Sequence, residues 1–557
     1  MYLKIAFILS FLLYQNLAYS KAQDKNDFNH EYLSDYFSAL VSYDNKQNKQ
    51  ALKFFENSKN LTKYHNNFLY EYVFSLVLDG QVKKSINQIK KPNNKNIVNF
   101  FEADLLLVLD SIAKKDFNKA NLKLKKLEMY AKNDTYQLII YQTLKDFNNL
   151  FISKQFKKKP NNFGKLDMIN YAFQNCYLNS KNTGSYFLNL INTPGSDYSR
   201  YSFFYISYLI QNEKYNSVYE ISKNIDPLRN SLLLIQTKKW IDDKKLNSFK
   251  NYFSCQNEND LLAEFFFLIS NIYSSQDMYN ESNFYLNISS FLNPKFYFNL
   301  ILIADNYYLN NDYDLARDVL KNFNYKDEIY HWYRIKKTSE IIYKESNQDK
   351  SLDYLEKKIK DFKNPSPKVL YDIAGIYKKF KNYEKAIDYF SLVLDEVEID
   401  TYTYADVLYR RGGCFERLGK YNDADKDFLR SLKIRPNEPY TLNYLAYSWL
   451  ERKYKIDEAI TMLNNAYAQK ENDPYIIDSV GWGYYLIEDY INAEKFLRKA
   501  VELLPDDPIA SDHYGDALWK LNRKIQARYF WESALNSDET DEEMKKKIQS
   551  KLLNGIS

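Results

Sequence analysis

The sequence predicts an all-α chain of helix–turn–helix repeats stacked into a solenoid, and three observations carry that prediction. First, small and apolar residues recur in a common frame. Counted from Ala405, Leu408, Gly412, Phe415, Gly419, Tyr421, Ala424, Phe428 and Pro436 fall at positions 4, 8, 11, 15, 17, 20, 24 and 32. Counted from Pro474, Ile477, Gly481, Tyr484, Tyr490, Ala493, Leu497, Ala500 and Pro505 fall at 4, 8, 11, 17, 20, 24, 27 and 32. Positions 4, 7, 8 and 11 make one stripe of a first helix, and 20, 24 and 27 one stripe of a second. Small residues at 8 and 20 let the two backbones approach, and proline at 32 ends the second helix. Second, units beginning at Ala405, Pro439, Pro474 and Pro508 are 34, 35 and 34 residues apart. Third, only 12 glycines and 12 prolines serve 557 residues, too few for the turns of a sheet-rich fold.

Taken in order, residues 1–20 read as a secretory signal peptide. Lys4 precedes the apolar run Ile5 to Tyr14, and Ala18-Tyr19-Ser20 offers a small-x-small cleavage site. That run is too short to span a bilayer. Cys176, Cys255 and Cys414 are odd in number and widely spaced, which predicts neither a disulfide framework nor a metal pattern. None lies near the cleavage region to accept a lipid, so the expectation is a soluble exported protein of a bacterial periplasm, reaching the outer membrane only through partners. Residues 21–150 hold degenerate repeats. Counting from Tyr32 puts Ala39 at 8 and Ala51 at 20, and counting from Phe101 puts Phe117 and Ala120 at 17 and 20. Residues 151–262 are helical in pattern but divergent, broken at "KKKPNNFGK" and "NTPGSD". Residues 263–366 carry units from Ala263, Tyr297 and Trp332; the first places Tyr273, Tyr279, Ser282, Leu286 and Pro294, the second Ala304, Tyr307, Tyr313 and Ala316. Residues 367–539 are well-formed repeats, with one extra residue in "RKYKIDEA" that lengthens the turn before Ala459. Residues 540–557 read as a polar capping helix, opened by a Thr540-x-x-Glu543 capping box and closed by Gly555.

These units resemble the tetratricopeptide repeat, a 34-residue helix–turn–helix module. The resemblance covers most of the chain in about twelve to fourteen units and implies a right-handed superhelix whose concave groove binds extended peptides. A closer likeness rests on "DSVGWGYYLIEDYINAEKFLRKAVELLPDDP" and "DHYGDALWKLNRKIQARYFWESAL", with "YLSDYFSALVSYDNKQNKQALKFF" near the start. These resemble long exported tetratricopeptide-repeat proteins of Gram-negative bacteria, a group similar to an outer-membrane lipoprotein adaptor that holds substrates for a periplasmic carboxyl-terminal-processing protease. That resemblance implies a protease and its substrates as partners. The missing lipid-acceptor cysteine departs from the pattern.

Chemistry of the chain's own is not expected. "SDHYGDALW" sets Ser511, Asp512 and His513 side by side, but successive helical residues point about 100° apart, so they cannot form a relay. Ser511 falls on the packing stripe. His30, His65, His331 and His513 are scattered over different units, so no metal site is predicted, and the Asp512–Asp516 pair reads as a groove wall rather than a hard-cation site. No phosphate loop or dinucleotide fingerprint occurs, so no cofactor is expected. The net charge of +5 lacks a basic stripe, and the Lys157–Lys159 run is a short loop, which argues against nucleic acid as a partner.

Positions 2, 5, 9 and 12 lie roughly 80° to 160° from the packing stripe. The resemblance puts that face on the groove. Reading it through the last four units gives Tyr409, Gly413 and Glu416; Asn443 and Tyr447; Asp478, Trp482 and Tyr485; and Asp512, Asp516 and Trp519. Aromatic side chains anchor interfaces, asparagine can bond a peptide backbone, and aspartate can pair with Lys or Arg. The other expectation for Trp482 and Trp519 is packing beneath the next helix or the cap. The functional expectation is a non-enzymatic envelope scaffold that binds peptide or helical segments of other proteins. Two further readings stand beside it: a structural subunit of an envelope polymer-export or assembly machine, and an enzyme with its site in the divergent middle.

Overall fold

A computed structural model describes residues 30–556 apart from 64, 92–98, 133, 157–160, 195–196 and 324–326. The signal-peptide reading and the Lys157–Lys159 run therefore lie outside the described residues. Among those described the chain is all α-helical, and its helices are joined by short turns. Two compact units emerge, one formed by the chain up to Ile225 with Asn230–Asn347, the other by Asp226–Arg229 with Gln348 onward.

In the C-terminal unit the frame becomes helix pairs: Pro367–Lys379 with Tyr383–Glu396, Tyr402–Arg417 with Tyr421–Ile434, Pro439–Glu451 with Ile456–Gln469, Pro474–Leu486 with Tyr490–Leu503, and Pro508–Lys520 with Lys524–Asn536. The Asp-Pro steps explain where first helices begin. Asp473 accepts from the amides of Tyr475 and Ile476, Asp507 from that of Ala510, and the following proline has no amide to leave unpaired. Small residues at position 8 are sterically required. A Cβ on Gly481 would lie 2.6 Å from Leu497 Cγ, and one on Gly515 would lie 2.5 Å from Trp531 Cδ1. The lengthened turn before Ala459 is present, with Lys453 and Lys455 both in the left-handed region. The expected terminal helix is Glu542–Asn554, ending at Gly555 with φ 73°. Its cap differs from expectation: Asp541, not Thr540, accepts the Met544 amide, while the Thr540 hydroxyl turns back to the Ala534 carbonyl.

The N-terminal unit holds the degenerate repeats. Ala39 and Ala51 are fully buried where His30–Asp44 meets Asn48–Asn57, and Ala120 is buried where Phe101–Ala113 meets Phe117–Tyr130. The divergent middle is also built of helix pairs, Lys165–Tyr177 with Thr183–Ile191, Tyr201–Gln211 with Tyr215–Ser222, and Leu232–Asp242 with Asn247–Tyr252. Their second helices have only 9, 8 and 6 residues, against 14 in Tyr421–Ile434 and Tyr490–Leu503. Late frame positions are thus missing, which is why the repeat pattern fades there. Packing in this unit is not confined to sequence neighbours. Phe74 stacks on Phe284 at 4.6 Å, and Asn287 Nδ2 donates to the Leu78 carbonyl at 3.0 Å.

Two features of this unit were not expected. Cys176 and Cys255 form a disulfide across 79 residues, a pairing invisible in an odd count of distant cysteines. Cys414, in the other unit, is free and buried. Buried Glu264 accepts a bidentate pair from Arg200 at 2.8 Å to each oxygen, and the guanidinium lies 3.8 Å from the Phe267 ring centre.

Candidate protein-binding site

First helices of successive C-terminal repeats pack side by side, so position 5 of one repeat meets position 6 of the next, 35 residues later, at Tyr409–Tyr444 and at Asp478–His513. That geometry gathers the candidate residues into three stations.

The first station comprises Tyr409, Gly413, Glu416, Asn443 and Tyr447. Glu416 accepts from the Tyr444 hydroxyl at 3.1 Å, and the Tyr409 ring lies edge-on to Tyr444 at 6.1 Å. Gly413 leaves room for Tyr444 and Lys378, both 3.6 Å from a notional Cβ. The side-chain oxygen of Asn443 is buried and meets no hydrogen-bond donor. Burial raises the Tyr447 hydroxyl far above its ordinary value, and the charges of Glu451 and Asp478 add to the effect.

The next station is an aromatic stack. Trp482 lies between Tyr485 at 4.6 Å and His513 at 4.0 Å, nearly parallel to both, and its indole N–H donates to Glu451 Oε1 at 2.6 Å. Against the Asp478 carboxylate, His513 Nδ1 is the donor, 3.0 Å from Oδ2. Burial alone would push the imidazole down; Asp478, with Asp512 and Asp516 behind it, outweighs burial and leaves His513 above its usual value. Both faces of Trp482 are therefore used inside the unit, although its edge remains half-exposed.

Asp512, Asp516 and Trp519 do not face open solvent. Lys551, from the helix Glu542–Asn554, sits 2.8 Å from a carboxylate oxygen of each aspartate. Asp516 also accepts from Trp531 Nε1 at 2.9 Å, and Trp519 Nε1 donates to the Ile556 carbonyl at 2.9 Å. Packing beneath the cap, the other expectation for Trp519, is what the fold adopts there. Ser511 is buried on the packing stripe.

Sequence reasoning missed His513, Glu451 and Lys551, and also a short internal segment. Asp226-Pro227-Leu228-Arg229 belongs to the C-terminal unit and lies on the first helices at Lys368, Tyr371 and Asp406, which are positions 2, 5 and 2 of their repeats. Lys368 Nζ donates to the Leu228 carbonyl at 2.7 Å, Leu228 is buried, and Arg229 reaches Asp406 at 3.4 Å. Asp226 Oδ1 holds the turn by accepting from the amides of Leu228 and Arg229. The 35-residue offset between Asp478 and His513 was legible in the frame. The tetrapeptide carried no signal at all.

Comparison with known proteins agrees with this architecture. Residues 367–395 and 405–438 match the family model of the tetratricopeptide repeat. A TPR repeat-containing protein of Pseudomonas aeruginosa is 30% identical over 111 residues, 20% of this chain and 19% of that protein. Another, from Methanocaldococcus jannaschii, is 26% identical over 164 residues, 22% of this chain and 29% of the relative. The chain thus spans less than a third of the length of these curated relatives. Among solved structures, a tetratricopeptide repeat protein from Parabacteroides merdae aligns over 46% of this chain and 99% of its own, with 17% identity and a TM-score of 0.38. The chain is a helical-repeat protein. Its repeats at 367–395 and 405–438 have the sequence pattern of the tetratricopeptide repeat.

Proposed function

We propose that the chain is a non-catalytic scaffold of the bacterial cell envelope that holds a partner segment on the first-helix face of its C-terminal unit, at the station of Asn443, Tyr447 and the edge of Trp482. One observation carries this reading: the buried Asn443 oxygen with no donor. Leaving such an acceptor unpaired costs about 1–3 kcal/mol. A main-chain N–H from a partner would satisfy it once the partly exposed Asn443 side chain turns outward, with the carboxylates of Glu416, Glu451 and Asp478, all close to Tyr447, placed to receive a basic side chain. No helix among the described residues is long and apolar enough to cross a membrane. The Cys176–Cys255 disulfide supports an oxidising compartment and hence export. Presentation of substrates to a periplasmic processing protease is the finer form of the proposal and rests on the sequence resemblance alone.

The test must separate binding from folding. Asp478 is unsuited to it, because Asp478→Lys would set an ammonium where buried His513 donates its Nδ1–H and so disturb folding. Asn443→Ala removes an unpaired acceptor, so its Tm should be equal to or above that of the wild type, while capture of a partner identified by cross-linking in the native envelope is lost. Undiminished capture by Asn443→Ala would sink the proposed station.

A further inference from the structure

Two stretches of the chain already occupy the first-helix face, and they are held alike. Arg229 reaches Asp406 while the neighbouring Leu228 carbonyl accepts from Lys368. Lys551 reaches Asp512 and Asp516 while the Ile556 carbonyl accepts from Trp519. In each case a basic head meets a first-helix aspartate, and a nearby main-chain carbonyl meets a side-chain N–H from the same face.

We propose that Asp512, Asp516 and Trp519 form a lysine-reading site, held in cis by Lys551–Ile556, and that a partner segment offering a lysine and an exposed main-chain carbonyl displaces the resident one. The inference rests on the first-helix face being a binding surface and adds the chemistry it takes. Two observations support displacement of the polar contacts, while Ile548, Met544 and Leu552 seat the helix on the C-terminal core. Removing Lys551 would leave two carboxylates one turn apart on the same helix face, Asp516 being only 4% exposed, with no ammonium between them. Such a site is strained until another cation arrives. Finally, Gly555 lies directly against the Trp519 ring, where any side chain would clash, so the contact favours a bare stretch of backbone.

The experiment uses the full chain and a fluorescein-labelled peptide copying residues 542–556. A tethered segment competes at high effective concentration, so wild-type protein should bind the peptide at least about tenfold more weakly than Lys551→Ala does. Binding to Lys551→Ala should vanish when Asp512→Asn and Asp516→Asn are added, or when the peptide itself carries Lys551→Ala. Equal binding by wild type and Lys551→Ala, or none by either, overturns the proposal and leaves the helix a fixed cap. Should Lys551→Ala fail to fold, hydrogen exchange on wild-type protein decides the matter. Excess peptide must then strip protection from the amides of Glu542–Asn554; unchanged protection overturns displacement. The Asn443→Ala capture test reads a different repeat, so each proposal can fail alone.

Discussion

At Asp516 burial and the neighbouring charge of Asp512 act together, pushing the carboxyl from 3.8 up to about 6 although Lys551 pulls it back. The sign of the consequence follows from proton counting. Between about pH 4 and 6 the folded chain keeps a proton that the unfolded chain has released, so stability falls as pH rises through that window. His513 acts in the same direction higher up. Its folded value lies above the ordinary 6.5, so its contribution is complete below that pH and is lost as pH rises through the folded value. Asp516→Asn should therefore flatten the pH 4–6 limb of the C-terminal unit's melting profile and only weaken the limb above 6.5, which Asp478 chiefly sets. A profile that keeps its full slope between pH 4 and 6 would contradict the assignment. Residue types show the Asp512–Asp516 spacing but neither the burial of Asp516 nor the contact of His513 with Asp478, 35 residues away, because packing sets both.

Helix pairs are the scale at which sequence and structure agree best. The frame places Gly412, Gly481 and Gly515 at the close approach of first and second helices, and the structure finds a side chain within 3.0 Å of each notional Cβ. Ala493 occupies the facing position 20 and is fully buried. Ala493→Leu or Gly515→Ala should overpack the interface and cost about 1–3 kcal/mol in chemical denaturation. Unchanged denaturation midpoints would mean that the repeat register is wrong. Where the second helix loses one or two turns, as in Tyr215–Ser222 and Asn247–Tyr252, the frame has nowhere to place its late residues. The elements persist there but their signature does not.

The chain as a whole depends on contacts that no repeat frame contains. Cys176 and Cys255 close a 79-residue separation within the N-terminal unit. Replacing both with serine should lower stability by about 2–4 kcal/mol, seen as a reduced Tm under non-reducing conditions. Matching curves for oxidised and reduced wild-type protein would show that the pair contributes nothing. The buried Arg200–Glu264 pair and the Phe74–Phe284 stack likewise join residues far apart in sequence. By itself the sequence determined the helix class, the 34-residue spacing, the close-approach glycines and the face on which Tyr409, Glu416, Asn443, Tyr447, Asp478, Trp482 and Tyr485 lie. Those are consequences of helical periodicity, which is local. Only the tertiary structure decided that His513 stacks on Trp482, that Lys551 fills the Asp512–Asp516 pair and that Asp226–Arg229 lies on Lys368 and Asp406. Occupancy of a face depends on which distant segment folds back to meet it, and the period of a repeat does not encode that.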